Sequence, residues 1–270
     1  MKLDNKRTIL TGFAFLSICA FWQMYNSIVP LILTNTFHLN ETYSGAIMAA
    51  DNVLALFLLP LFGAISDRTS TKIGKRMPFI LFGTGLAIIL MNLLPMIDNS
   101  YAAAPGSFKT ISFVVVLGLL LVAMGTYRSP AVALMPDITP KPLRSKGNAI
   151  INLMGALGGV IYLGVAAVMY PNSKVAGLAH VNYQPLFMVV SAIMFIAVAV
   201  LFLTIKEPRL VAEQQELERQ HPEWNLAEDD GSGNETLPKP VKKSLIFLLS
   251  SICLWFILSL IHISEPTRRS

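Results

Sequence analysis

Polar residues in this chain are bunched together, and the apolar runs between them are too long for the elements of a soluble domain. A helix that crosses a bilayer needs about 20 apolar residues. Six stretches meet that length: 9–33, 43–65, 78–97, 111–135, 148–170 and 185–205. A seventh run begins at Ser244. The joining segments are short except for 206–243, which is acidic and then basic and contains Gly231-Ser232-Gly233 and Pro238-Lys239-Pro240. Its opening, 210–220, reads as a surface helix, and its middle as disordered. The chain therefore divides into a six-span bundle (1–205), a linker (206–243), the start of a further span (244–257) and a tail (258–270).

Composition fixes the class. Hydrophobic residues make up 54% and charged residues 14%, against about 25% charged in soluble domains, so the fold is all-α and integral to the membrane. The net charge of +5 needs no nucleic-acid partner, because the basic residues gather in alternate loops. Lys2, Lys6 and Arg7 precede the first span; Arg68, Lys72, Lys75 and Arg76 follow the second; Lys141, Arg144 and Lys146 follow the fourth. The linker adds Lys206, Arg209, Arg219, Lys239, Lys242 and Lys243, whereas the opposite loops hold only Lys109 and Lys174. Cytoplasmic loops carry the excess of Lys and Arg, which places the amino terminus and the linker in the cytoplasm of a multi-pass protein of the cell membrane. The first apolar run is too long for a cleavable signal peptide and leads directly into further spans. Cys19 and Cys253 both fall in apolar runs and are expected as free thiols. The acceptor-like triplet Asn40-Glu41-Thr42 is read as chance.

The most specific motif lies between the second and third spans: Gly63-Ala-Ile-Ser-Asp-Arg-Thr-Ser-Thr-Lys-Ile-Gly-Lys-Arg76. Asp67 beside Arg68, followed by Gly74, Lys75 and Arg76, can form a charge network at helix ends. Gly63 and Gly74 suit close helix approach and a tight turn. The pattern closely resembles the loop between the second and third helices of major facilitator superfamily transporters. In the form Ser66 to Ile80 it looks most like the sugar:cation symporter branch, the glycoside–pentoside–hexuronide and sucrose-carrier-like proteins. The resemblance implies a six-helix amino-terminal half with nested three-helix inverted repeats and a substrate site near the midplane. It also implies that Asp67, Arg68, Lys75 and Arg76 lock one conformation. Asp137 with Arg144 and Lys146, and Glu207 with Arg209 in Lys206-Glu-Pro-Arg209, would complete that gate.

Charged residues inside spans are costly and are functional candidates by default. Asp51 lies well inside the second span, where a carboxyl group can take and release a proton as its surroundings change; a structural Asp bonded to a neighbouring helix is the alternative. Arg128 lies in the fourth, within Tyr127-Arg-Ser-Pro-Ala-Val-Ala-Leu-Met-Pro-Asp137. Its guanidinium can donate to sugar hydroxyls or balance a coupling carboxylate, or it can pair with a nearby acid and close the helix end. The segment resembles a plant sucrose-carrier motif in which an Arg follows a Gly-Pro pair by two residues; here Val132 holds that place, and Arg128 lies one turn earlier on the same face. The first span is polar at its centre, with Trp22, Gln23, Tyr25, Asn26 and Ser27 ahead of Pro30. Aromatic faces stack on sugar rings and amides bond hydroxyls, so Trp22, Gln23, Tyr25 and Asn26 are candidate site residues, with packing as the alternative for the rings. Asn152 is a further candidate, next to Gly155, Gly158 and Gly159, which suit close helix contact.

The four His residues show no metal spacing, the two Cys residues form no C-x-x-C, and no glycine loop of phosphate-cradling type is present. An enzyme or ATP-driven pump finds no support, and the only cofactor-like species implied is a coupling H+ or Na+. The expected activity is cation-coupled symport of a sugar or glycoside by alternating access, in a lipid bilayer, with a carboxy-terminal half as partner. The rivals are an efflux or lipid carrier of the same fold, a non-transporting membrane sensor or scaffold, and a short chain that dimerises. The closing residues Leu258-Ser-Leu-Ile-His-Ile-Ser-Glu-Pro-Thr-Arg268 resemble the translation of a widely used transposase sequencing adapter. The chain is accordingly read as an amino-terminal fragment whose natural sequence continues past Ile257.

Overall fold

The six apolar runs form six long helices in the computed structural model, which describes residues 3–175, 178, 180–222, 224, 244, 246–248, 250, 251 and 254. They are α1 (Asn5–Leu31), continued by a π-turn (Ile32–Thr36), α2 (Glu41–Arg68), α3 (Met77–Ala103), α4 (Ser107–Ile138), α5 (Arg144–Met169) and α7 (Gln184–Thr204). A short α6 (Asn172–Val175) sits between α5 and α7, and α8 (Glu207–Gln220) follows α7. α1 and α2 begin a few residues before their apolar runs, where polar residues outside the runs supply partners for the end amides. Asp4 accepts from the Arg7 amide at 3.1 Å, and Asn40 accepts from the Thr42 amide at 3.0 Å; each satisfies one orphan donor of a first turn. Asn40 of the acceptor-like triplet is thus the cap of α2. The surface helix expected over 210–220 begins three residues earlier, at Glu207.

The chain divides into two compact units, 1–221 and 222–270. In the second, the described positions 244, 246–248, 250, 251 and 254 are helical. The linker interior (225–243), Cys253, most of the seventh span and the tail at 258–270 lie outside the described residues.

The first unit is built around α1, α3, α4 and α7, whose buried faces carry Phe21, Tyr25, Ile80, Met91, Phe113, Tyr127, Phe187 and Met194. Small residues let the backbones meet. A Cβ added to Gly158 on α5 would stand 2.0 Å from the Leu16 carbonyl oxygen of α1, and one on Gly155 would stand 2.9 Å from Cys19 Sγ. Gly159 faces open space and takes no part. Cys19 is a free thiol. The outward faces of α2 and α5 are apolar, with Val53, Leu56, Phe57, Leu153 and Val160 all exposed. Surface of that kind is covered in a bilayer or by a partner.

Candidate functional site

At one end of the bundle, the loop after α2 folds into a closed set of charges. Ser66 and Asp67 end α2, Arg76 precedes α3, and Asp137 ends α4. The Arg76 side chain is 5% exposed. Its Nε donates to Asp137 Oδ2 at 2.9 Å, and its two terminal nitrogens donate to Ser66 Oγ and Asp67 Oδ1. Lys75 Nζ lies 3.2 Å from the same Asp137 oxygen. A guanidinium buried this deeply persists because its donors find acceptors in the fork geometry that Arg provides.

Glu207 completes this end from the far side of the sequence. It is 1% exposed, and its carboxylate accepts from the backbone amides of Lys75 (2.8 Å), Arg76 (2.9 Å) and Met77 (2.9 Å). Arg76, the residue before α3, makes no side-chain cap bond of its own, so α3 is capped by a residue of α8. A negative charge there is favoured by the helix dipole as well as by the orphan amides. Gly74 permits the arrangement: its φ is +120°, and an added Cβ would stand 2.2 Å from Glu207 Oε2. Only glycine meets both demands.

The remaining members expected of the gate stand apart. Asp137 pairs with Lys75 and Arg76, whereas Arg144 reaches Glu218 of α8 at 3.7 Å. Arg68 and Arg209 are exposed and form no ion pair among the described residues. A second clamp holds α8 under α1, with Arg7 Nη2 3.5 Å from Glu213 Oε2.

The mid-span cluster has the opposite character. Tyr127, fully buried, donates to the Ala14 carbonyl at 2.9 Å and shares a 2.5 Å hydrogen bond with Ser17. That pin fixes α4 against α1 and sets the next residue, Arg128, over the Trp22 ring at 5.6 Å, a cation–π contact. Arg128 has no hydrogen bond or ion pair among the described residues. Trp22 and Tyr25 meet edge to face at 5.3 Å. Asp51 on α2 is half-buried and lies within electrostatic reach of both Arg128 and Tyr25. Trp22 Nε1, Tyr25 OH and Asp51 Oδ1 are buried without a hydrogen-bond partner. Buried polar atoms are normally satisfied, so three orphans around one free guanidinium leave donors and acceptors available to a polar ligand.

Gln23 is half-buried beside this cluster, and Asn26 is exposed on the face shared by Trp22 and Tyr25. Asn152 is exposed on α5 and touches none of these groups through a hydrogen bond among the described residues. Val132, at the place of the plant-type Arg, is 47% exposed. Sequence reasoning passed over Asp98 altogether. α3 runs to Ala103, not to Ile97, and this enclosed acid belongs to the bundle rather than to a loop.

The family and its members can be compared with this geometry. The chain is 26% identical over 152 residues to sucrose transport protein SUC3 of Arabidopsis thaliana, an alignment covering 52% of this chain and 25% of that protein. It is 29% identical over 129 residues to sucrose transport protein SUC4 of Arabidopsis thaliana, covering 45% of this chain and 25% of that protein. Sucrose transport protein SUT3 of Oryza sativa subsp. indica is 29% identical over 123 residues, covering 40% and 24%. The chain spans about a quarter of the length of these curated relatives. Residues 11–264 match the Major Facilitator Superfamily family as a whole. Six apolar helices, the charged loop after the second and this match agree: the chain is a multi-pass membrane protein and belongs to the Major Facilitator Superfamily.

Proposed function

We propose that this chain is the amino-terminal half of a cation-coupled symporter for a sugar or glycoside, with a proton as the coupling ion. The observation that carries the reading is the mid-span grouping of Trp22, Tyr25, Asp51 and Arg128, whose polar atoms are buried or enclosed yet unspent. A sugar offers a ring face for Trp22 and hydroxyls for Arg128, Gln23 and Asn26. Asp51 takes the proton as substrate binds and releases it to the opposite side as substrate leaves, and the carboxylate that remains balances Arg128. The names of the sucrose-transporting relatives support the cargo class.

The charged end would act as the lock. Alternating access needs contacts that hold one state and break in the other. Arg76 with Asp67 and Asp137, and Glu207 on the α3 amides, supply such contacts at an end that the Lys and Arg distribution assigns to the cytoplasm of the cell membrane. The second half of the binding site, and the second half of the lock, come from a carboxy-terminal half encoded past Ile257.

Two experiments test this reading. Sequencing of the native locus with long reads across the codon for Ile257 is expected to show a frame continuing into five or more further spans. Proteoliposomes holding the product of that frame are then expected to accumulate radiolabelled disaccharide under an inward proton gradient and to lose it with an uncoupler. Uptake that ignores the gradient removes proton coupling; no uptake of any disaccharide or monosaccharide removes the cargo.

A further inference from the structure

The bundle end that carries the charged loop also holds a groove that neither the lock nor the mid-span cluster uses. It has a volume of about 510 Å³ and lies where the start of α1, the end of α7 and the start of α8 meet. Its charged lining is Lys6 and Arg7 of α1, Lys206 and Arg209 at the start of α8, and the acids Asp4 and Glu213. Arg7 is paired with both acids, its Nε 3.7 Å from Asp4 Oδ2 and its Nη2 3.5 Å from Glu213 Oε2. Lys6, Lys206 and Arg209 are exposed, and their side chains make no ion pair or hydrogen bond among the described residues. Four cations against two acids leave the lining with a net charge of +2, and the charges left open are all positive.

The rest of the lining is largely apolar, with Leu10, Ile205 and Leu210. One turn further into the spans stand Ile9, three residues after Lys6, and Phe202, three residues before Ile205; they are 42% and 41% exposed. Residues three apart share a helix face, so an apolar path leads from the groove along the outside of α1 and α7. Lys6 precedes the first apolar run by three residues, about 4.5 Å of helix, and Lys206 directly follows the sixth. The headgroup layer is about 5–8 Å deep on each side of the hydrocarbon core. The cations therefore stand at headgroup depth and the apolar path at acyl-chain depth. A soluble anion needs the cations alone; the path beside them selects a lipid. The neighbouring cavity of about 210 Å³, between α1, α4 and α8, has the paired Arg7 as its one cation among the described residues and offers no such site.

We propose that this groove binds the headgroup of an anionic glycerophospholipid, with its phosphate among Lys6, Lys206 and Arg209 and its acyl chains along Ile9 and Phe202. Arg209 offers a planar fork to two phosphate oxygens, and the two lysines add point charges. Each cation near an anionic lipid surface gives about a fivefold gain in affinity. A zwitterionic headgroup forgoes most of that gain, because its own ammonium is repelled by the same cations. The bound lipid joins α8 to α1 and α7 just after the sixth span, a tie that Arg7 and Glu213 already make from within the protein. The site is independent of the cargo and of the coupling ion, so its failure and that of the transport reading are told apart.

The test uses the full chain, immobilised in a neutral detergent, with tritiated dioleoyl phosphatidylglycerol as probe and scintillation proximity as readout. Unlabelled phosphatidylglycerol is expected to displace the probe at least about tenfold more effectively than dioleoyl phosphatidylcholine. The variant Lys6→Gln/Lys206→Gln/Arg209→Gln should lose at least about tenfold in affinity for the probe. A control, Arg68→Gln/Lys72→Gln/Lys146→Gln, removes three exposed cations from elsewhere on the same end and should lose less than about twofold, as for charges outside the contact. Where the groove variant fails to fold, Arg209→Gln alone should lose about fivefold, and an unchanged affinity overturns the site. Equal displacement by the two lipids overturns it as well. An equal loss in the control variant overturns it by showing diffuse attraction in place of a site. Displacement of the probe by millimolar inorganic phosphate assigns the groove to a soluble anion and overturns the lipid.

Discussion

The two polar regions of the bundle spend their hydrogen bonds in opposite ways. At the charged end, Arg76 satisfies its donors on three side chains and Glu207 takes three consecutive amides. Mid-span, Arg128 has only an aromatic face beneath it, and three buried polar atoms around it have no partner. Saturated polar groups stabilise a state, and unsaturated ones await something that is not yet there. The proposed lock and the proposed ligand site therefore differ in which valences remain open, although both are built from Arg and Asp.

The comparison can be broken first at the lock. Glu207→Ala leaves the backbone amides of Lys75, Arg76 and Met77 without their acceptor and should cost about 3 kcal/mol, read as a lower melting temperature of the chain in nanodiscs. Gly74→Ala should fall in the same range, because it strains a φ of +120° and collides with the Glu207 carboxylate. A smaller effect is expected from Arg128→Ala, which, if the proposed cargo is right, should weaken binding of that sugar by the complete protein by about 10- to 100-fold, as for loss of a charge-assisted hydrogen bond. Its melting temperature should stay close to that of the wild type, since the side chain has no polar partner to abandon. Asp51→Asn sharpens the contrast further: uptake driven by a proton gradient should disappear while exchange of labelled for unlabelled sugar persists. The smallest effects belong to Arg68→Ala and Arg209→Ala, within about 0.5 kcal/mol in stability. A large loss from either would extend the lock to residues that the geometry leaves outside it.

The spans were legible because a bilayer demands one long apolar run per crossing, and that demand is written locally. The charged loop was legible for the same reason, being a dense motif between two such runs. What the residues could not reveal was pairing across distance. Asp137 looked closest in sequence to Arg144, yet it bonds to Arg76 across 61 residues, because α2, α3 and α4 converge at one end. Glu207 read as part of a helix-end motif, and its capping of α3 needs the fold to be seen. Asp98 was hidden by a boundary: one acidic residue at the end of an apolar run looks like the start of a loop, whereas α3 carries on for five more residues. At Gln23, Asn26 and Asn152 the residue types signalled a polar helix face without saying which neighbours it meets.

The cap on α3 also has a meaning for how the chain is made. The amide of Arg76 and the carboxylate that holds it are separated by 131 residues. At about 5–20 residues per second of synthesis, the third helix waits roughly 7–26 s with the amides of its first turn unserved by protein. The ribosome has delivered all six spans before Glu207 can arrive. Closure of that turn is thus a late event in biogenesis, reporting that the bundle has been threaded through to its last crossing.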